Sequence, residues 1–466
     1  MSQNGSLLDA ALARLLDRRR LRNQLRSLNI VPVGTADFSS NAYLSLSSHP
    51  AVQQAFLAQL QSAVIANTGG SSQVKPVPSL LGSGGSRLLD GNSLEYETLE
   101  QTIATFHRAP AGLLFNSAMD ANVGLFSCIP QPGDAVVYDE LIHASVHDGM
   151  RMSRAAERIP FAHNCVWGDT GSMMETKSRG RSLEAVLQDL QRGPTGAVFK
   201  SGERNIFIAV EGIYSMDGDL APLGDIVRCV ERTLPSGNGY IIVDEAHSVG
   251  IFGNQGRGLV CELGLEDRIW ARVLGFGKAM GCAGGIILSS PTTRSYLINY
   301  ARTLIYTTAM GPPSLASIRV TYEFLARGGA TFLLHHLRIL IQQTHALLLA
   351  VGTRQTPPPE LFRVNAPEPE SPIIPVFTSW PRSLARHCQK QGYMVRPIVA
   401  PTVPKGSERI RVCLHAGNTL GEVQGLVAAV EAWVASRKVS GGESEQEVVE
   451  RGLLASEAGK NGKARL

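Results

Sequence analysis

The sequence predicts an α/β fold in which a large, mainly parallel sheet carries helices on both faces and a smaller α+β domain follows. Short apolar runs rich in Val, Ile and Phe recur through the middle of the chain, and segments with helical spacing lie between several of them. Alternation of this kind is typical of parallel sheets, because the chain must cross back to the same edge between strands. The runs are AGLLFN (111–116), AVVYD (135–139), IFIAV (206–210), YIIVD (240–244), VLGFG (273–277) and GGIIL (284–288).

The segment 222–234 illustrates the helices that join these strands. It places Leu223, Ile226, Val227 and Val230 on one face, as a helix that covers a sheet requires. The rest of its surface is polar, so we expect the helix to lie between the sheet and solvent.

The pattern changes after the Pro-Pro pair at 312–313. Long helices come first, then a strand-like run over 373–380, and finally a helix over 419–437 with its valines and leucines on one stripe. The Pro- and Glu-rich stretch 356–372 predicts a loop within this smaller domain. The predicted units are an N-terminal helix and arm (1–50), a large domain (51–310), a small C-terminal domain (311–437) and a tail (438–466).

Both ends of the chain carry separate signals. Residues 6–27 have leucines near helical spacing followed by arginines, which predicts either a mitochondrial presequence, weakened by two aspartates, or an amphipathic helix packed on the body. From Gly441 the chain is polar, which predicts a mobile tail. It ends in Ala464-Arg465-Leu466, similar to the S-K-L peroxisomal address. We therefore expect recognition by the peroxisomal import receptor and a location in the peroxisome, with cytoplasm or mitochondrion as alternatives.

Composition restricts the class of function. Of 466 residues, 44% are hydrophobic, and no apolar run approaches the roughly 20 residues that a membrane-spanning helix needs. The net charge is only +4 and the basic residues are scattered, which argues against nucleic-acid binding. The seven cysteines are widely spaced and contain no CxxC pair, which argues against a zinc ribbon or a disulfide framework. We expect no membrane association and no metal site.

The stretch VLGFGKAMGCAGG (273–285) sets Lys278 among five glycines after an apolar run. This lysine could hold a phosphate, bond covalently to a cofactor or be an ordinary loop residue. A phosphate loop of the type G-x-x-x-x-G-K-[ST] would need a glycine at Arg272 and a hydroxyl at Ala279, so that chemistry is excluded.

A second segment, YIIVDEAHSVG (240–250), favours the covalent role. Its apolar strand ends in Asp244, and the carboxyl ends of parallel strands face a ligand cleft. Pyridoxal phosphate needs a lysine for covalent attachment and an anion against its pyridine nitrogen, so that the ring can take up electrons from a carbanion. Asp244 alone is more often a cap or an ion-pair partner, and Lys278 alone a loop residue, but the two together indicate such a site.

Motifs along most of the chain resemble those of the α-oxoamine synthases, a family of fold-type-I, pyridoxal-phosphate-dependent transferases. The resemblance runs in order from SSNAYLSLSSHP (39–50) to RIRVCLHAG (409–417). It implies the fold-type-I architecture, pyridoxal 5′-phosphate as cofactor, and a homodimer whose subunits share active sites. The motifs between are GSGGSRLLDGNSLEYETLE (82–100), LIHASVHDG (141–149), FAHN (161–164), EGIYSMDGDLAPL (211–223), VDEAHSVGIFGNQGRG (243–258), GFGKAMG (275–281), LIYTTAM (304–310) and RPIVAPTVP (396–404).

The resemblance implies four catalytic residues. Lys278 matches the lysine that bonds to the cofactor and later removes the α-proton of the amino acid. Asp244 matches the partner of the pyridine nitrogen, and His247 the group that hydrogen-bonds the ring's 3′ oxygen. His143 matches the histidine that stacks on the ring.

Further cofactor contacts are implied by the same motifs. Glu211 and Ser215 match positions beneath and beside the ring, and Thr308 matches a residue that the neighbouring subunit offers to the phosphate. The phosphate itself is expected at the N-terminus of a helix that starts near Ser117, Ala118 and Met119, where the helix dipole favours an anion.

The chain departs from the family pattern at this phosphate site. Relatives commonly have Gly and an aromatic residue where this chain has Ala118 and Met119, and many carry Thr or Ser where it has Gly275. Backbone donors survive such changes, but one hydroxyl contact to the phosphate is lost.

Two residues match substrate positions. Arg411 corresponds to the family arginine that clamps the amino-acid carboxylate, which suits its planar fork, although R-I-R could also be an ordinary edge strand. Asn41 corresponds to a position near the substrate. Arg87 is expected in a tight turn as a structural arginine, with closure of this glycine-rich loop over the thioester as the alternative.

The implied reaction joins an amino acid to an acyl-CoA with loss of CoA and CO2. We expect L-alanine and pimeloyl-CoA, an early step of biotin synthesis, because a peroxisome generates chain-shortened acyl thioesters. The alternative is a related synthase that uses another acyl thioester or amino acid in secondary metabolism. A non-catalytic partner subunit is a minor alternative, disfavoured because Lys278, Asp244 and His143 are all present.

Overall fold

A computed structural model of the chain describes residues 6–22, 24–68, 80–168, 180–192 and 196–440. The predicted mobile tail from Gly441, including the Ala464-Arg465-Leu466 ending, lies outside these described residues. The first elements are α1 (Leu7–Leu21), β1 (Ala36–Asp37) and α2 (Pro50–Thr68). The central part contains α3 (Leu94–Phe106), β2 (Ala111–Phe115), α4 (Ala118–Cys128), β3 (Ala135–Asp139), α5 (Ala144–Met152), β4 (Glu157–Phe161), α6 (Leu183–Leu190), α7 (Gly196–Lys200), β5 (Ile206–Glu211), α8 (Leu223–Thr233), β6 (Gly239–Asp244), α9 (Leu259–Glu262), β7 (Ala271–Gly275), β8 (Gly285–Ser289), α10 (Pro291–Tyr300) and α11 (Arg302–Ile305). The C-terminal part contains α12 (Pro312–Ala326), α13 (Thr331–Gln355), β9 (Arg363–Val364), β10 (Ile373–Phe377), α14 (Pro381–Lys390), β11 (Tyr393–Met394), β12 (Arg396–Ile398), β13 (Arg409–Cys413) and α15 (Leu420–Ser440).

The predicted large sheet is confirmed, and each of the six apolar runs forms one of its strands. Within the described ranges it has seven strands in the order β2-β8-β7-β6-β5-β3-β4. Strands β3 to β7 are parallel to one another, and β8 runs antiparallel to both β2 and β7. The connection 276–284 is too short for a crossover, so β8 returns antiparallel and the loop with Lys278 stays at the carboxyl edge of the parallel strands.

Strand β4 has no counterpart among the predicted runs. It lies at the edge of the sheet beside β3, and Glu157 and Arg158 on it are exposed. Edge strands tolerate charged residues and a proline such as Pro160, so no apolar run marks them in the sequence.

Helices cover both faces of the sheet, as predicted. On one face, α6 and α8 pack against β3, β5 and β6, and the predicted stripe of α8 is buried from Leu223 to Val230. On the other face, α4, α5 and α10 bury Leu125, Val146 and Leu297. Each face therefore has its own apolar cluster, and the strands between are buried on both sides.

The smaller domain contains an antiparallel sheet with the order β12-β13-β10-β9. The predicted strand over 373–380 is β10 and the predicted C-terminal helix is α15, whose stripe from Val423 to Val434 is buried. The stretch 356–372 is not entirely a loop, because Arg363–Val364 forms the short strand β9 beside β10. The arm residues of β1 pair with β11, so the arm reaches this domain.

The N-terminal helix α1 does not pack on the body. None of its residues is buried, and Leu8 and Leu12 remain exposed. The predicted alternative of an amphipathic helix packed against the rest of the chain is therefore wrong within a single subunit. Among the helices of the described ranges, none is both long enough and apolar enough to span a bilayer. In the same ranges no group of three or more His, Cys, Asp or Glu side chains is arranged to hold a metal ion.

Candidate active site

The candidate site lies at the carboxyl edge of the parallel strands. Asp244 ends β6 and is the direct neighbour of Glu211, which ends β5. Lys278 follows β7 on the short connection to β8. The charges of Asp244 and Glu211 both act on the Lys278 ammonium, so the structure brings the three predicted residues together.

Asp244 is buried and held by two donors. Nδ2 of Asn122 on α4 lies 2.6 Å from Oδ2 of Asp244, and the main-chain N–H of Ala246 donates to Oδ1 over 2.9 Å. Both bonds fix the position of the carboxylate at the end of β6.

His143 caps the N-terminus of α5 and its ring is held through Nδ1. Nδ1 accepts from the main-chain N–H of Ser145 over 3.2 Å, and Oγ of Ser145 lies 2.8 Å from the same atom. Desolvation lowers the pKa of His143, although the nearby carboxylate of Asp244 acts to raise it. An accepting Nδ1 and a lowered pKa describe the same neutral imidazole, with its proton on Nε2.

Burial changes the protonation of the residues around Lys278. Desolvation lowers the pKa of the Lys278 amine, while the carboxylates of Asp244 and Glu211 raise it. Desolvation raises the pKa of Glu211 well above its usual range, and the nearby charge of Asp244 raises it further. Desolvation therefore shifts both groups toward their neutral forms, and a neutral amine is the form that can accept a proton.

His247 belongs to a second group of linked side chains. Its Nδ1 lies 2.8 Å from the hydroxyl of Tyr43, which is also 3.3 Å from Oδ1 of Asn41. The same Oδ1 accepts from a terminal nitrogen of Arg411 over 3.2 Å. Desolvation lowers the pKa of His247 well below its usual range. The N-terminal arm thus connects the predicted ring contact with the predicted carboxylate clamp.

Arg411 does not lie on an edge strand. Strand β13 is flanked by β12 and β10, so the alternative of a solvated edge strand is wrong. Its guanidinium donates to the carbonyl of Ser215 over 3.0 Å and to that of Ser39 over 3.4 Å. Its buried Nε has no partner among the described residues, which leaves a donor for a carboxylate. The Ser215 contact also places that predicted residue beside the clamp.

The predicted phosphate site is the N-terminus of α4. The helix begins at Ala118 with Ser117 as its cap, and Oγ of Ser117 accepts from the main-chain N–H of Asp120 over 3.0 Å. The N–H groups of Ala118 and Met119 lie in the first turn and have no carbonyl within the helix to bond. The carboxylate of Asp120 accepts from the Ser117 hydroxyl over 2.8 Å, so the first turn also carries an acidic group, which the sequence motifs do not indicate.

Thr308 lies beside the phosphate site of its own chain. Nδ2 of Asn116, one residue before the helix cap, donates to the carbonyl of Thr308 over 2.9 Å and contacts Oγ1 of Thr307 at 3.3 Å. Thr308 itself is exposed. Its expected contact with the phosphate in the neighbouring subunit stays a prediction.

The turn with Arg87 is firmly held. Arg87 forms an ion pair with buried Glu100, bonds Asn92 over 2.8 Å and stacks on the ring of Tyr96. These contacts agree with the prediction that Arg87 is a structural arginine in a tight turn.

Three further site residues were not predicted from the sequence. Asn122, Ser145 and Tyr43 each bond directly to a predicted site residue. Tyr43 and Ser145 stand two residues from predicted positions inside recognised motifs, which was the available signal. For Asn122 the only signal in the sequence was its place one turn into the helix of the phosphate site.

The residues present fit pyridoxal phosphate. The site offers an amine, a buried and hydrogen-bonded carboxylate, a neutral imidazole and the start of a helix, all at one edge of the sheet. The unpaired Nε of Arg411 provides an anion contact on the substrate side. The amine suits the aldehyde of that cofactor, the carboxylate its ring nitrogen, the imidazole its ring face and the helix start its phosphate.

The chain matches known proteins over most of its length. A family model described as aminotransferase class I and II matches residues 34–430. An 8-amino-7-oxononanoate synthase of Emericella nidulans is 49% identical over 435 residues, which are 93% of this chain and 98% of that protein. An aminoacyl transferase sphA of Aspergillus fumigatus is 36% identical over 434 residues, which are 90% of this chain and 86% of that protein.

Solved structures show the same fold. A serine palmitoyltransferase of Sphingomonas wittichii superposes with a TM-score of 0.73 at 24% identity, covering 93% of this chain and 98% of the other. At this identity the likeness concerns the fold, and it confirms the predicted fold-type-I architecture of a large sheet domain with a smaller C-terminal domain.

Proposed function

Because the chain belongs to the aminotransferase class I and II family, and within it to the α-oxoamine synthases, which are pyridoxal-phosphate-dependent C-acyltransferases, we propose that it condenses L-alanine with pimeloyl-CoA. The products are 8-amino-7-oxononanoate, CoA and CO2, in the biotin pathway. The observation that carries the proposal is the grouping of Lys278 and Asp244 at the carboxyl edge of the large sheet, with Arg411 of β13 close enough to act on the Lys278 amine, in a chain 49% identical to a relative with that activity in its name.

Pyridoxal phosphate supplies an electron sink for the carbanion at the amino acid's Cα. The Lys278 amine accepts the α-proton at Nζ, and its lowered pKa makes the neutral form available for this step. A new C–C bond then forms from Cα to the thioester carbonyl, the C–S bond breaks and CoA leaves as the thiolate. Loss of the carboxyl group as CO2 and return of a proton to Cα complete the balance.

Orientation of the amino acid falls to Arg411. Its guanidinium is fixed by the carbonyls of Ser215 and Ser39, which leaves Nε for the substrate carboxylate. A carboxylate held there would fix rotation about the N–Cα bond of the amino acid. His143 and Asp244 are the residues that would hold the cofactor ring.

The test is CoA release from a panel of acyl-CoAs offered with alanine, glycine or serine. The expected result is turnover with alanine and pimeloyl-CoA, loss of turnover in Lys278→Ala, and retention in Lys200→Ala, which changes an exposed lysine on α7. Turnover restricted to serine or to long acyl chains would remove the biotin assignment and leave the family intact. Absence of turnover with every pair would favour the non-catalytic subunit instead.

A second candidate function is a related synthase that uses a different acyl thioester. Support comes from a relative at 36% identity over 90% of this chain that is named an aminoacyl transferase and not an 8-amino-7-oxononanoate synthase. The departures at Ala118, Met119 and Gly275 lie at the cofactor's phosphate and do not distinguish the acyl chains. The substrate panel separates the two candidates.

The active form is proposed to be a homodimer with shared sites. Large apolar side chains near the phosphate end are exposed in the single chain, with Leu89 at 73% and Tyr306 at 72%. The turn that carries Leu89 lies against the segment after Tyr306, because the N–H of Ala309 donates to the carbonyl of Gly85 over 2.9 Å. We expect Leu89→Asp to produce monomers in sedimentation and to weaken cofactor binding, whereas a dimer unchanged by it would contradict this interface.

The proposed location is the peroxisome. Support comes from the terminal Ala464-Arg465-Leu466, which resembles a receptor-read address. A fluorescent protein fused before residue 1 is expected in puncta that disappear when these three residues are deleted. A signal that is the same with and without them would reject the address.

A further inference from the structure

We propose that Asn122 and Ser145 are positioning residues that connect Asp244 to His143 through one hydrogen-bond relay. The relay runs from Oδ2 of Asp244 to Nδ2 of Asn122 over 2.6 Å, and from Nδ2 to Oγ of Ser145 over 3.0 Å. It ends at Nδ1 of His143, 2.8 Å from Oγ of Ser145. The inference rests on the proposed function, because it assumes that Asp244 and His143 hold the cofactor ring.

The amide of Asn122 has one possible orientation. Asp244 accepts one of its two N–H groups and Ser145 accepts the other, so both donors are used. Rotation of the amide would place its oxygen against the carboxylate of Asp244, where two acceptors repel each other. Oδ1 accordingly has no partner among the described residues, which shows that the donor contacts decide the orientation.

The direction of the next bond follows from the first. Because the Ser145 oxygen accepts from Asn122, its single hydrogen is available for Nδ1 of His143. Nδ1 also accepts from the main-chain N–H of Ser145, so it carries no proton and the imidazole N–H is on Nε2. The relay from Asp244 and the main-chain N–H of Ser145 therefore favour the same tautomer of His143.

Burial keeps this relay intact. Asn122 is 1% exposed and Ser145 is fully buried, so water does not compete for their donors and acceptors. The three elements involved are separate in sequence, since Asn122 lies on α4, Ser145 on α5 and Asp244 at the end of β6. A relay through them fixes the position of the ring-face group relative to the group for the ring nitrogen.

The experiment compares Ser145→Ala, Ser145→Thr and Asn122→Ala with Ser289→Ala as the matched control. Ser289 is also a buried serine, but its hydroxyl bonds the carbonyl of Trp270 over 2.7 Å at the opposite edge of the sheet. For each protein we would record the visible circular dichroism after addition of pyridoxal phosphate, the kcat and KM values, and the thermal unfolding of the cofactor-free form.

The expected result is a changed visible dichroism in Ser145→Ala with a kcat lower by about threefold to tenfold and little change in KM, as the loss of one buried hydrogen bond predicts. Ser145→Thr retains the hydroxyl and should restore both, whereas Ser289→Ala should alter neither. Asn122→Ala is expected to weaken cofactor binding by about tenfold or more, since it removes a donor to a charged group. If this variant does not fold, the two Ser145 variants still decide the matter.

The inference is overturned if Ser145→Ala has the dichroism and kcat of the unaltered protein, or if folded Ser145→Thr behaves like Ser145→Ala. Either result leaves the assignment of the site to pyridoxal phosphate in place, provided that the unaltered protein develops a visible band which Lys278→Ala lacks. Absence of that band from the unaltered protein would instead reject the proposed function.

Discussion

A side chain on Gly275 would place its Cβ 3.1 Å from the Cβ of Ala118, with the Cβ of Ala246 only 2.9 Å away. Both separations are shorter than ordinary contacts between such atoms, so the methyl group of Ala118 occupies space that a residue at 275 would need. The two departures from the family pattern are therefore linked. The family resemblance implies Gly at the first position and a hydroxyl-bearing residue at the second, whereas this chain has a methyl group at the first position and no side chain at the second.

The first prediction is that these positions are energetically coupled. Gly275→Ser should lower the free energy of unfolding by about 1–3 kcal/mol through overpacking. Ala118→Gly in the same protein should recover part of that loss, while the contact with Ala246 remains. Gly277→Ser is the control, because a Cβ there meets only an ordinary contact at 3.7 Å. The measurement is urea unfolding of the single and double variants, and losses that simply add within about 0.5 kcal/mol would show the two positions to be independent.

A second prediction concerns Asp120 at the same helix end. Its carboxylate lies in the first turn of α4 and accepts from the Ser117 hydroxyl, so it repels an incoming phosphate. Asp120→Asn should bind pyridoxal phosphate about twofold to fivefold more tightly, in line with the about 0.3–1 kcal/mol that a charge contributes at a helix terminus. The cofactor-free variant should be slightly less stable, because an acidic residue at a helix N-terminus is favourable. Fluorescence titration with the cofactor measures the affinity, and weaker binding would contradict the repulsion.

His163 is held between two carboxylates. Nδ1 lies 2.9 Å from Asp139, which ends β3, and Nε2 lies 2.7 Å from Asp219 on the loop after β5. Burial lowers the pKa of His163, but the hydrogen bonds to Asp139 and Asp219 outweigh it and raise the pKa to about 10. The loop from Glu211 onward also carries Ser215, so a protonated His163 fixes the backbone on which the Arg411 clamp rests.

The third prediction is the pH range over which His163 stabilises the fold. Its folded-state pKa of about 10 exceeds the value near 6.5 for an unfolded chain. The stabilisation is therefore complete below about pH 6.5 and is lost as the pH rises through about 10. Thermal unfolding of the unaltered protein and of His163→Gln should differ most at low pH and converge toward pH 10. His335→Gln, which changes an exposed histidine on α13, controls for general effects, and a gap independent of pH would show that His163 is not charged.

Much of the fold could be predicted, because strands that are buried on both faces consist of consecutive apolar residues. Strands β2, β3 and β5 to β8 are covered on both faces and read as uninterrupted apolar runs. The edge strand β4 and the two-residue strand β9 contain no such run, because their backbone pairing depends on a neighbour rather than on apolar side chains. The exposure of α1 was also beyond the sequence, since an amphipathic pattern does not show what covers it.

The candidate site could likewise be predicted only in part from the sequence. Asp244 and Lys278 could be identified because they stand at or after the end of a strand in recognisable motifs, and Arg411 because its own motif is recognisable. Asn122 and Ser145 could not, because their role depends on the approach of α4 and α5 to the end of β6. A polar residue inside an apolar helix gives no sign of its partner, and only the packed structure supplies one. The roles matched by resemblance stay predictions until substitutions test them.

The fourth prediction is that Arg411 determines the KM for the amino acid but not the KM for the acyl-CoA. The arginine donates to the carbonyl of Ser215 and to Oδ1 of Asn41, and its Nε has no partner in the part of the chain that the structure describes. Arg411→Lys keeps the charge but loses the fork, so the KM for the amino acid should rise by about tenfold to a hundredfold, as the loss of a charged hydrogen bond predicts. The KM for the acyl-CoA should stay within about twofold, because a carboxylate clamp makes no contact with a thioester. Arg363→Lys on β9 is the control, since that side chain stacks on Phe377 of its own sheet. Initial rates with each substrate varied in turn provide the measurement, and an equal rise in both KM values would mean that Arg411 shapes the site as a whole and does not bind the carboxylate.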